Sequence, residues 1–459
     1  MIKFGTDGWR AVIGDNFTYE NVRRVARAHA EILREEGLKR ILIGYDWRFS
    51  SEDFAKQVYD VLVSEGLEAR LVSKACTTPM VSFGVRYLNF DGGVMITASH
   101  NPPRYNGYKI KESFGGSATL EFIRKVESRL KSASGEPAPP AEPLFAEVEG
   151  KYLSKIREQV NLELFKEREF KVVHDAMYGT SSGLLQKALE ETKVKVVSIR
   201  SYRDPLFGGH APEPVEKNLK PLIEKVRALS ANLGVANDGD GDRIALVDDK
   251  GNYVNSQLIY VILLLHLIKH KNLRKGVVVK TVSTTYLADR ICRFEGIQLK
   301  EVPVGFKNIN ELILKERVIF GGEESGGYGV PSFLPERDGV MSALLVMESL
   351  LLKDLNLSDY INEIFKEYGS AYYRRIDLPA DERVKNKLRF LIKEPPSAVG
   401  GRKVERVLTI DGLKLVFEDE SWLLFRASGT EPLIRVYAEA PSQKELDSLL
   451  TSGAELLKV

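Results

Sequence analysis

The chain has 459 residues, of which 43% are hydrophobic and 28% are charged. This composition is typical of globular proteins and provides apolar material for several cores. The formal net charge of +2 leaves no basic surplus for nucleic acid and no polybasic run for a membrane surface. The longest apolar stretch, residues 258–268, is shorter than the roughly 20 residues that span a bilayer. We therefore expect neither a nucleic-acid nor a membrane partner.

The N-terminal segment and the cysteines indicate the compartment. The first residues lack the apolar run of a secretory signal. Cys76 and Cys292 lie far apart and form no metal or redox motif, which favours reduced, buried thiols. We expect a cytoplasmic protein.

Strand-like and helix-like segments alternate along most of the chain, which predicts α/β layers, and the length alone predicts about three domains, with two or four also compatible. Residues 40–46 are predicted to form a strand and residues 51–64 an amphipathic helix. Residues 132–140 contain three prolines and no apolar period, which predicts a linker. Beyond it we predict a strand at 170–175 and a helix that begins near Ser181.

A third unit is predicted to begin with a helix near Asn255 and to contain a strand at 277–280. The C-terminal part differs in character, because residues 408–417 have the pattern of a hairpin with Asp-Gly at its turn. Ser442 and Glu445 form a capping-box pattern that opens a terminal helix. Two further strands are predicted at 422–425 and 434–437. The predicted domains are residues 1–140, 150–250, 251–368 and 369–459.

Residues 97–103, with the sequence TASHNPP, follow an apolar segment at 92–96 that is predicted to be a buried strand. The strand should end at this turn, because proline has no N–H with which to continue a ladder. Ser99 is therefore expected at a strand end, where α/β proteins often carry ligand-handling residues. A serine in an ordinary surface turn is the alternative.

Residues 238–243, with the sequence DGDGDR, place three carboxylates at alternate positions. An extended loop can direct Asp238, Asp240 and Asp242 to one point, and such hard oxygen ligands suit Mg²⁺ or Ca²⁺. An EF-hand is excluded, because its sixth position would be Arg243 and both flanks have strand patterns. A solvated acidic turn is the alternative, although three unpaired carboxylates would repel one another.

Together these motifs resemble those of the α-D-phosphohexomutases, which include phosphoglucomutase and phosphomannomutase. Two further motifs, GEESGG at 322–327 and RASGTEP at 426–432, are similar to the family's, as is FGTDGWR at 4–10. The five motifs occur in the family's order and cover most of the chain. The resemblance implies three similar α/β domains and a smaller C-terminal α+β domain around a central cleft.

The resemblance also implies an activity, namely reversible phosphoryl transfer between the 1- and 6-positions of a hexose phosphate. Glucose 1-phosphate would become glucose 6-phosphate through phosphoserine 99 and a 1,6-bisphosphate, which also serves as activator. One Mg²⁺ per chain would bind Ser99, Asp238, Asp240 and Asp242. The partners would be small hexose phosphates, and the protein a monomer or homodimer.

The remaining site residues are implied by the same motifs. Lys109 is a candidate general acid/base, whose pKa we expect to be lowered by neighbouring arginines. Arg10 and Arg243 would supply fixed positive charge, and His100 is a second candidate base. The residues expected to bind substrate are Lys280, Gly305, Phe306, Lys307, Glu323, Ser325, Arg426, Ser428, Gly429, Thr430 and Arg435.

Several alternatives stay open at this point. Some family members carry histidine where this chain has Gly327 and Phe306, which shifts the acid/base role toward Lys109. The loop at 305–307 is more similar to that of glucose-preferring members. A phosphomannomutase or dual-specificity mutase is the nearest rival, and a phosphoglucosamine mutase is less favoured. A non-catalytic sugar-phosphate sensor and a metal phosphatase are rivals of other classes.

Overall fold

The computed structural model describes residues 2–5, 7–428 and 432–458 of the chain. The chain forms two compact units. The larger unit contains the residues up to Leu273 together with Gly305–Ser358. The smaller unit contains Arg274–Val304 together with the residues from Asp359 onward.

The first sheet of the larger unit has six strands with a parallel centre. Its strands in spatial order are Trp9–Val12, Tyr105–Lys111, Gly92–Ile96, Arg40–Tyr45, Glu68–Val72 and Phe145–Ala146. Its helices are Tyr19–Glu35, Ser51–Ser64, Thr78–Tyr87 and Leu120–Arg129. The predicted strand at 40–46, helix at 51–64 and buried strand at 92–96 are confirmed. The last of these ends directly before the serine turn.

The predicted linker at 132–140 contains neither helix nor strand. Two helices follow it, Glu149–Arg157 and Leu162–Glu167. The second sheet has the strand order Tyr253–Val254, Ile244–Val247, Leu233–Asn237, Phe170–Asp175 and Val194–Ile199. Its helices are Leu184–Ala188 and Lys220–Leu229, with 3₁₀ turns at Phe207–Gly209 and Glu216–Asn218. The predicted strand at 170–175 is confirmed, but the helix expected near Ser181 begins three residues later, after Gly183 at φ 72°.

A tight hairpin in this sheet carries the aspartate loop. Leu233–Asn237 pairs antiparallel with Ile244–Val247, and Asn237 lies opposite Ile244. The two strands are buried on both faces, so the loop at 238–243 starts and ends in the core. This anchoring restricts where the three aspartates can point.

The rest of the larger unit is built on two apolar helices, Ser256–Lys269 and Gly339–Lys353. Apolar residues occur all round both helices, as expected for buried helices, and the two pack against each other. The first begins directly after Asn255, as predicted, and the side chain of Asn255 caps it. The side chain of Asp338 caps the second. The remaining elements are the helix Phe306–Ile313 and the antiparallel strands Val318–Gly322 and Tyr328–Gly329.

In the smaller unit, Val277–Thr281 pairs in parallel with Gln298–Val302. Most of this unit is a six-stranded antiparallel sheet whose strands in spatial order are Tyr372–Pro379, Leu433–Ala440, Trp422–Ala427, Leu413–Phe417, Arg402–Leu408 and Ala398–Val399. The helices of this part are Leu287–Glu295, Leu357–Tyr368, Glu382–Lys393 and Gln443–Leu456. The predicted hairpin and terminal helix are confirmed, with Ser442 as the cap.

Within the described residues, no helix combines the length and the apolar character needed to cross a membrane.

Candidate active site

Ser99 lies at the end of the buried strand Gly92–Ile96 in a left-handed backbone conformation, with φ 52°. Its hydroxyl donates a hydrogen bond of 2.7 Å to Asp238 Oδ2. His100 Nδ1 lies 3.3 Å from the same hydroxyl. The serine predicted as phosphoryl carrier and the first predicted aspartate, 139 positions apart, are therefore in direct contact.

Asp238, Asp240 and Asp242 are fully buried, and each offers a carboxylate oxygen within 4.8 Å of the other two. Within the described residues, Oδ1 of Asp240 and Oδ1 of Asp242 have no hydrogen-bond partner. Burial, and then repulsion by the other two aspartates, raise the pKa of Asp238 well above its ordinary value. Buried carboxylate oxygens without donors fit a hard divalent cation such as Mg²⁺.

Lys109 lies on the strand Tyr105–Lys111 and contacts three carboxylates. Its Nζ is 2.7 Å from Asp7, 2.8 Å from Asp240 and 3.1 Å from Asp242. Burial alone would lower the pKa of Lys109, but these three charges outweigh burial and raise it above its ordinary value. The expectation of a lowered pKa is therefore wrong for this structure, because the lysine is surrounded mainly by carboxylates.

Arg337 is a buried cation of the same network that the sequence analysis did not single out. Its guanidinium lies 2.7 Å from Asp7 and 2.8 Å from Asp242. It also lies 3.2 Å from Glu336 and 3.6 Å from Glu323. Arg337 thus connects the N-terminal motif, the aspartate loop and the GEESGG motif within the larger unit.

Asp7 was noted only as part of its motif, although it is central to the network. Burial alone would raise the pKa of Asp7, but Lys109 and Arg337 hold it well below its ordinary value. Thr78 was also missed, and its hydroxyl donates to Asp240 at 2.6 Å. Lys111 and Glu336 form a neighbouring buried ion pair. An Asp-Gly pair within the motif at 4–10 is a signal that could have identified Asp7.

Arg10 and Arg243 lie at the rim of this network. Arg10 donates to Asn101 Oδ1 at 2.7 Å and lies 3.5 Å from Asp7. The backbone N–H of Arg243 donates to Asp238 at 3.1 Å, and its Nε lies 3.9 Å from Asp242. Burial, followed by the charges of Arg243 and Arg10, holds the pKa of His100 well below its ordinary value. This lowered pKa favours the neutral imidazole of His100.

The loop at 305–307 contacts the GEESGG motif. Gly305 adopts φ 120° and donates its N–H to Glu323 Oε1 at 2.9 Å. Phe306 is buried under the Arg337 guanidinium at 5.5 Å, and burial lowers the pKa of Lys307. The buried hydroxyl of Ser325 has no hydrogen-bond partner within the described residues.

The other predicted substrate residues belong to the smaller unit. Arg426 Nε donates to Asp411 Oδ2 at 2.9 Å, and Arg435 lies directly opposite Arg426 on the next strand. The N–H of Ser428 donates to Leu433 O at 2.9 Å. Lys280 is buried and forms an ion pair with Asp289. Gly429 and Thr430 lie outside the described residues.

Comparisons with known proteins identify the family of the chain. Profiles of the alpha/beta/alpha domains I, II and III of phosphoglucomutase/phosphomannomutase match residues 1–136, 150–251 and 255–368, and the profile of the C-terminal domain matches residues 380–455. The chain belongs to the phosphoglucomutase/phosphomannomutase family. The family confirms the predicted architecture of three α/β domains and a smaller C-terminal domain.

Members of the family with different substrate names are similarly close. A phosphoglucomutase/phosphomannomutase of Thermococcus kodakarensis is 32% identical, covering 99% of this chain and 98% of the relative. A phosphoglucosamine/phosphogalactosamine mutase of Sulfurisphaera tokodaii is 30% identical, with the same coverage. The crystal structure of a "putative phosphomannomutase" from Thermus thermophilus has a TM-score of 0.89 at 32% identity, with 99% of both chains covered. The family is that of the phosphohexomutases, whose members are isomerases of the mutase type.

Proposed function

We propose that this family member interconverts glucose 1-phosphate and glucose 6-phosphate through phosphoserine 99 and a glucose 1,6-bisphosphate intermediate. The contact between Ser99 Oγ and Asp238 at 2.7 Å carries this proposal, because the serine hydroxyl lies beside a buried cluster of candidate cation ligands. A serine hydroxyl in an ordinary surface turn would not be buried against three carboxylates.

In the proposed transfer, the bond between phosphorus and Ser99 Oγ breaks and a bond to the free sugar hydroxyl forms. The sugar hydroxyl loses one proton and Ser99 Oγ gains one, so the step releases no net proton. After the bisphosphate turns over, the same step in reverse returns its other phosphate to Ser99. Lys109 is protonated among its three carboxylates, so it fits the acid half of the predicted acid/base role.

Mg²⁺ fits the site, and Asp238, Asp240, Asp242 and phosphoserine 99 would hold it. When bound, the ion would neutralise negative charge on the phosphoryl group. Arg10 and Arg243, at the rim, would supply further positive charge for the phosphate.

The surroundings of Gly327 favour Lys109 as the general acid over a histidine at position 327, which some family members carry. A Cβ at position 327 would lie 2.3 Å from Cδ of Arg337. Arg337 cannot yield easily, since two carboxylates hold its guanidinium at 2.7 and 2.8 Å. The space for a side chain at 327 is thus occupied, and Glu323 and Ser325 remain as the polar groups proposed to meet the sugar.

Kinetic comparison of substrates tests the proposal. The purified enzyme, with Mg²⁺ and a trace of glucose 1,6-bisphosphate, should convert glucose 1-phosphate to glucose 6-phosphate with a higher kcat/KM than mannose 1-phosphate or glucosamine 1-phosphate. A higher value for mannose 1-phosphate would select the phosphomannomutase alternative. Release of inorganic phosphate without glucose 6-phosphate would select a phosphatase, and binding without turnover a sugar-phosphate sensor.

A further inference from the structure

Arg48 is the one arginine of the described residues whose side chain is fully buried, and its contacts converge on the Ser99 loop. Its Nη2 donates to Ser99 O at 2.6 Å and to Asn101 O at 2.7 Å. Its Nη1 donates to Pro102 O at 3.0 Å and to Tyr105 O at 3.1 Å. We propose that Arg48 is a positioning residue for phosphoryl transfer, which holds the Ser99 loop in one conformation without touching the reacting atoms.

The peptide group on the N-terminal side of Ser99 is held by the ion pair between Asp46 and Arg48. Ser99 N–H donates to Thr97 Oγ1 at 2.9 Å, and the Thr97 hydroxyl donates to Asp46 Oδ2 at 2.6 Å. Arg48 Nε lies 3.2 Å from the same oxygen of Asp46. Both peptide groups that flank Ser99 are therefore connected to the Asp46–Arg48 pair.

This arrangement matters because Ser99 adopts φ 52°, a region that non-glycine residues rarely occupy. A residue stays in such a conformation only when its surroundings hold it there. A buried ion pair adds little stability over well-packed apolar residues of similar volume, so stability does not account for the pair. The distinct contribution of Arg48 is to orient the loop, because its planar guanidinium fits three carbonyl oxygens of residues 99–102 and that of Tyr105, where the next strand begins.

The link to the reaction rests on the proposed function. Ser99 Oγ must serve as leaving group in one half of the cycle and as nucleophile in the other, from the same place beside Asp238. A misplacement of about 1 Å can cost about a hundredfold in rate. In the proposed reaction the phosphate of the substrate does not contact Arg48, so Arg48 should affect kcat and leave KM unchanged.

Arg48→Lys is the primary test, and Arg200→Lys is its matched control. Arg200 also pairs with an aspartate at the end of a buried strand, Asp175, but contacts no atom of the serine loop. Arg48→Lys should lower kcat about ten- to hundredfold at unchanged KM, because lysine cannot reproduce the guanidinium fork. Arg200→Lys should leave both constants close to wild type.

A ³¹P NMR spectrum of the phosphoenzyme, prepared with glucose 1,6-bisphosphate, separates positioning from a general loss of fold. The wild type and Arg200→Lys should each give one narrow phosphoserine resonance. Arg48→Lys should give a broadened or split resonance at the same phosphate stoichiometry. An unchanged kcat, a loss confined to KM, or an unchanged resonance beside a reduced kcat would each overturn the proposal.

If Arg48→Lys does not fold, Thr97→Val tests the proposal instead. This variant removes the hydrogen bonds that connect Ser99 N–H to Asp46 through the Thr97 hydroxyl, at nearly constant side-chain volume. It should lower kcat and broaden the same resonance, and Thr97→Ser should restore both. Wild-type kcat and an unchanged resonance in Thr97→Val would overturn the proposal. A wild type that lacks both turnover and phosphoserine would refute the proposed function and, with it, this inference. An active phosphoenzyme in which Arg48→Lys changes neither kcat nor the resonance would refute only the inference.

Discussion

At the scale of single residues, the hydroxyl of Ser99 is the group on which the proposed chemistry depends. It donates to Asp238 at 2.7 Å and is buried, so removing it deletes a phosphoryl acceptor and very little packing. Ser99→Ala should abolish mutase turnover and leave the melting temperature within a few degrees of wild type. Intact-mass measurement should find a wild-type fraction heavier by one phosphate, which the variant lacks. Near-normal turnover in Ser99→Ala would show that another group carries the phosphoryl.

The residues that were predicted from the sequence share one property, which is that each lies in a short motif recognisable without knowledge of its distant partners. The TASHNPP turn and the three alternate aspartates are contiguous, so spacing alone indicated their chemistry. Asp7 and Arg337 contact each other across 330 positions. Long-range contacts of this kind depend on packing that local patterns do not encode. For the same reason the environment of Lys109 was predicted with the wrong sign.

At the scale of elements, the helix Gly339–Lys353 begins directly against the aspartate loop. The N–H of Gly339 donates to Gly241 O at 3.1 Å, and a Cβ at 339 would lie 2.3 Å from Asn237 Nδ2 and 2.5 Å from Arg243 O. Gly339→Ala should therefore push the helix away from the loop and cost about 1–3 kcal/mol of stability. Chemical denaturation measures this loss.

Gly150→Ala is the control for that prediction. Gly150 lies in the helix Glu149–Arg157, and a Cβ there would meet nothing within 4 Å. Alanine is the better helix former, so this variant should be neutral or more stable by up to about 1 kcal/mol. Equal changes in the free energy of unfolding for the two substitutions would show that the close contact of Gly339 with the aspartate loop does not affect stability.

Arg426 and Arg435 lie opposite each other on paired strands, and we expect them to bind the phosphate of the substrate that is not being transferred. Arg426 contacts in both ground and transition states would mainly set KM. Loss of a charge-assisted contact of about 1.5–3 kcal/mol predicts an increase of KM by about ten- to hundredfold in Arg426→Ala. Steady-state kinetics should show this increase, with some free bisphosphate released. Arg402→Ala, which removes an arginine paired with Asp419 and Glu445 in the same sheet, should leave KM unchanged.

At the scale of the whole molecule, the predicted architecture of three α/β domains and a smaller C-terminal domain is confirmed by the family. The alternation of strand-like and helix-like segments was sufficient to predict α/β layers. They did not predict the division of the chain into two units, in which Arg274–Val304 belongs with the C-terminal residues. Such a division depends on tertiary contacts between segments distant in sequence.

Binding of the proposed Mg²⁺ should stabilise the larger unit locally. All three aspartates lie in the larger unit, so Mg²⁺ should slow amide hydrogen exchange at residues 97–101 and 238–243. Asp240→Asn should remove this protection, and Asp15→Asn, an exposed charge change in the same unit, should retain it. Protection that persists in Asp240→Asn would show that the ion binds elsewhere.

The contact between Gly327 and Arg337 has an evolutionary consequence. A side chain at 327 collides with the stem of Arg337, and the arginine is held by Asp7 and Asp242. A descendant of this chain could therefore acquire histidine at 327 only after residue 337 had become shorter, and that change would leave Lys109 as the cation shared by Asp7 and Asp242. The order of the two substitutions is therefore constrained. Glycine at 327 and arginine at 337 are therefore coupled positions in this chain, and neither can change freely without the other.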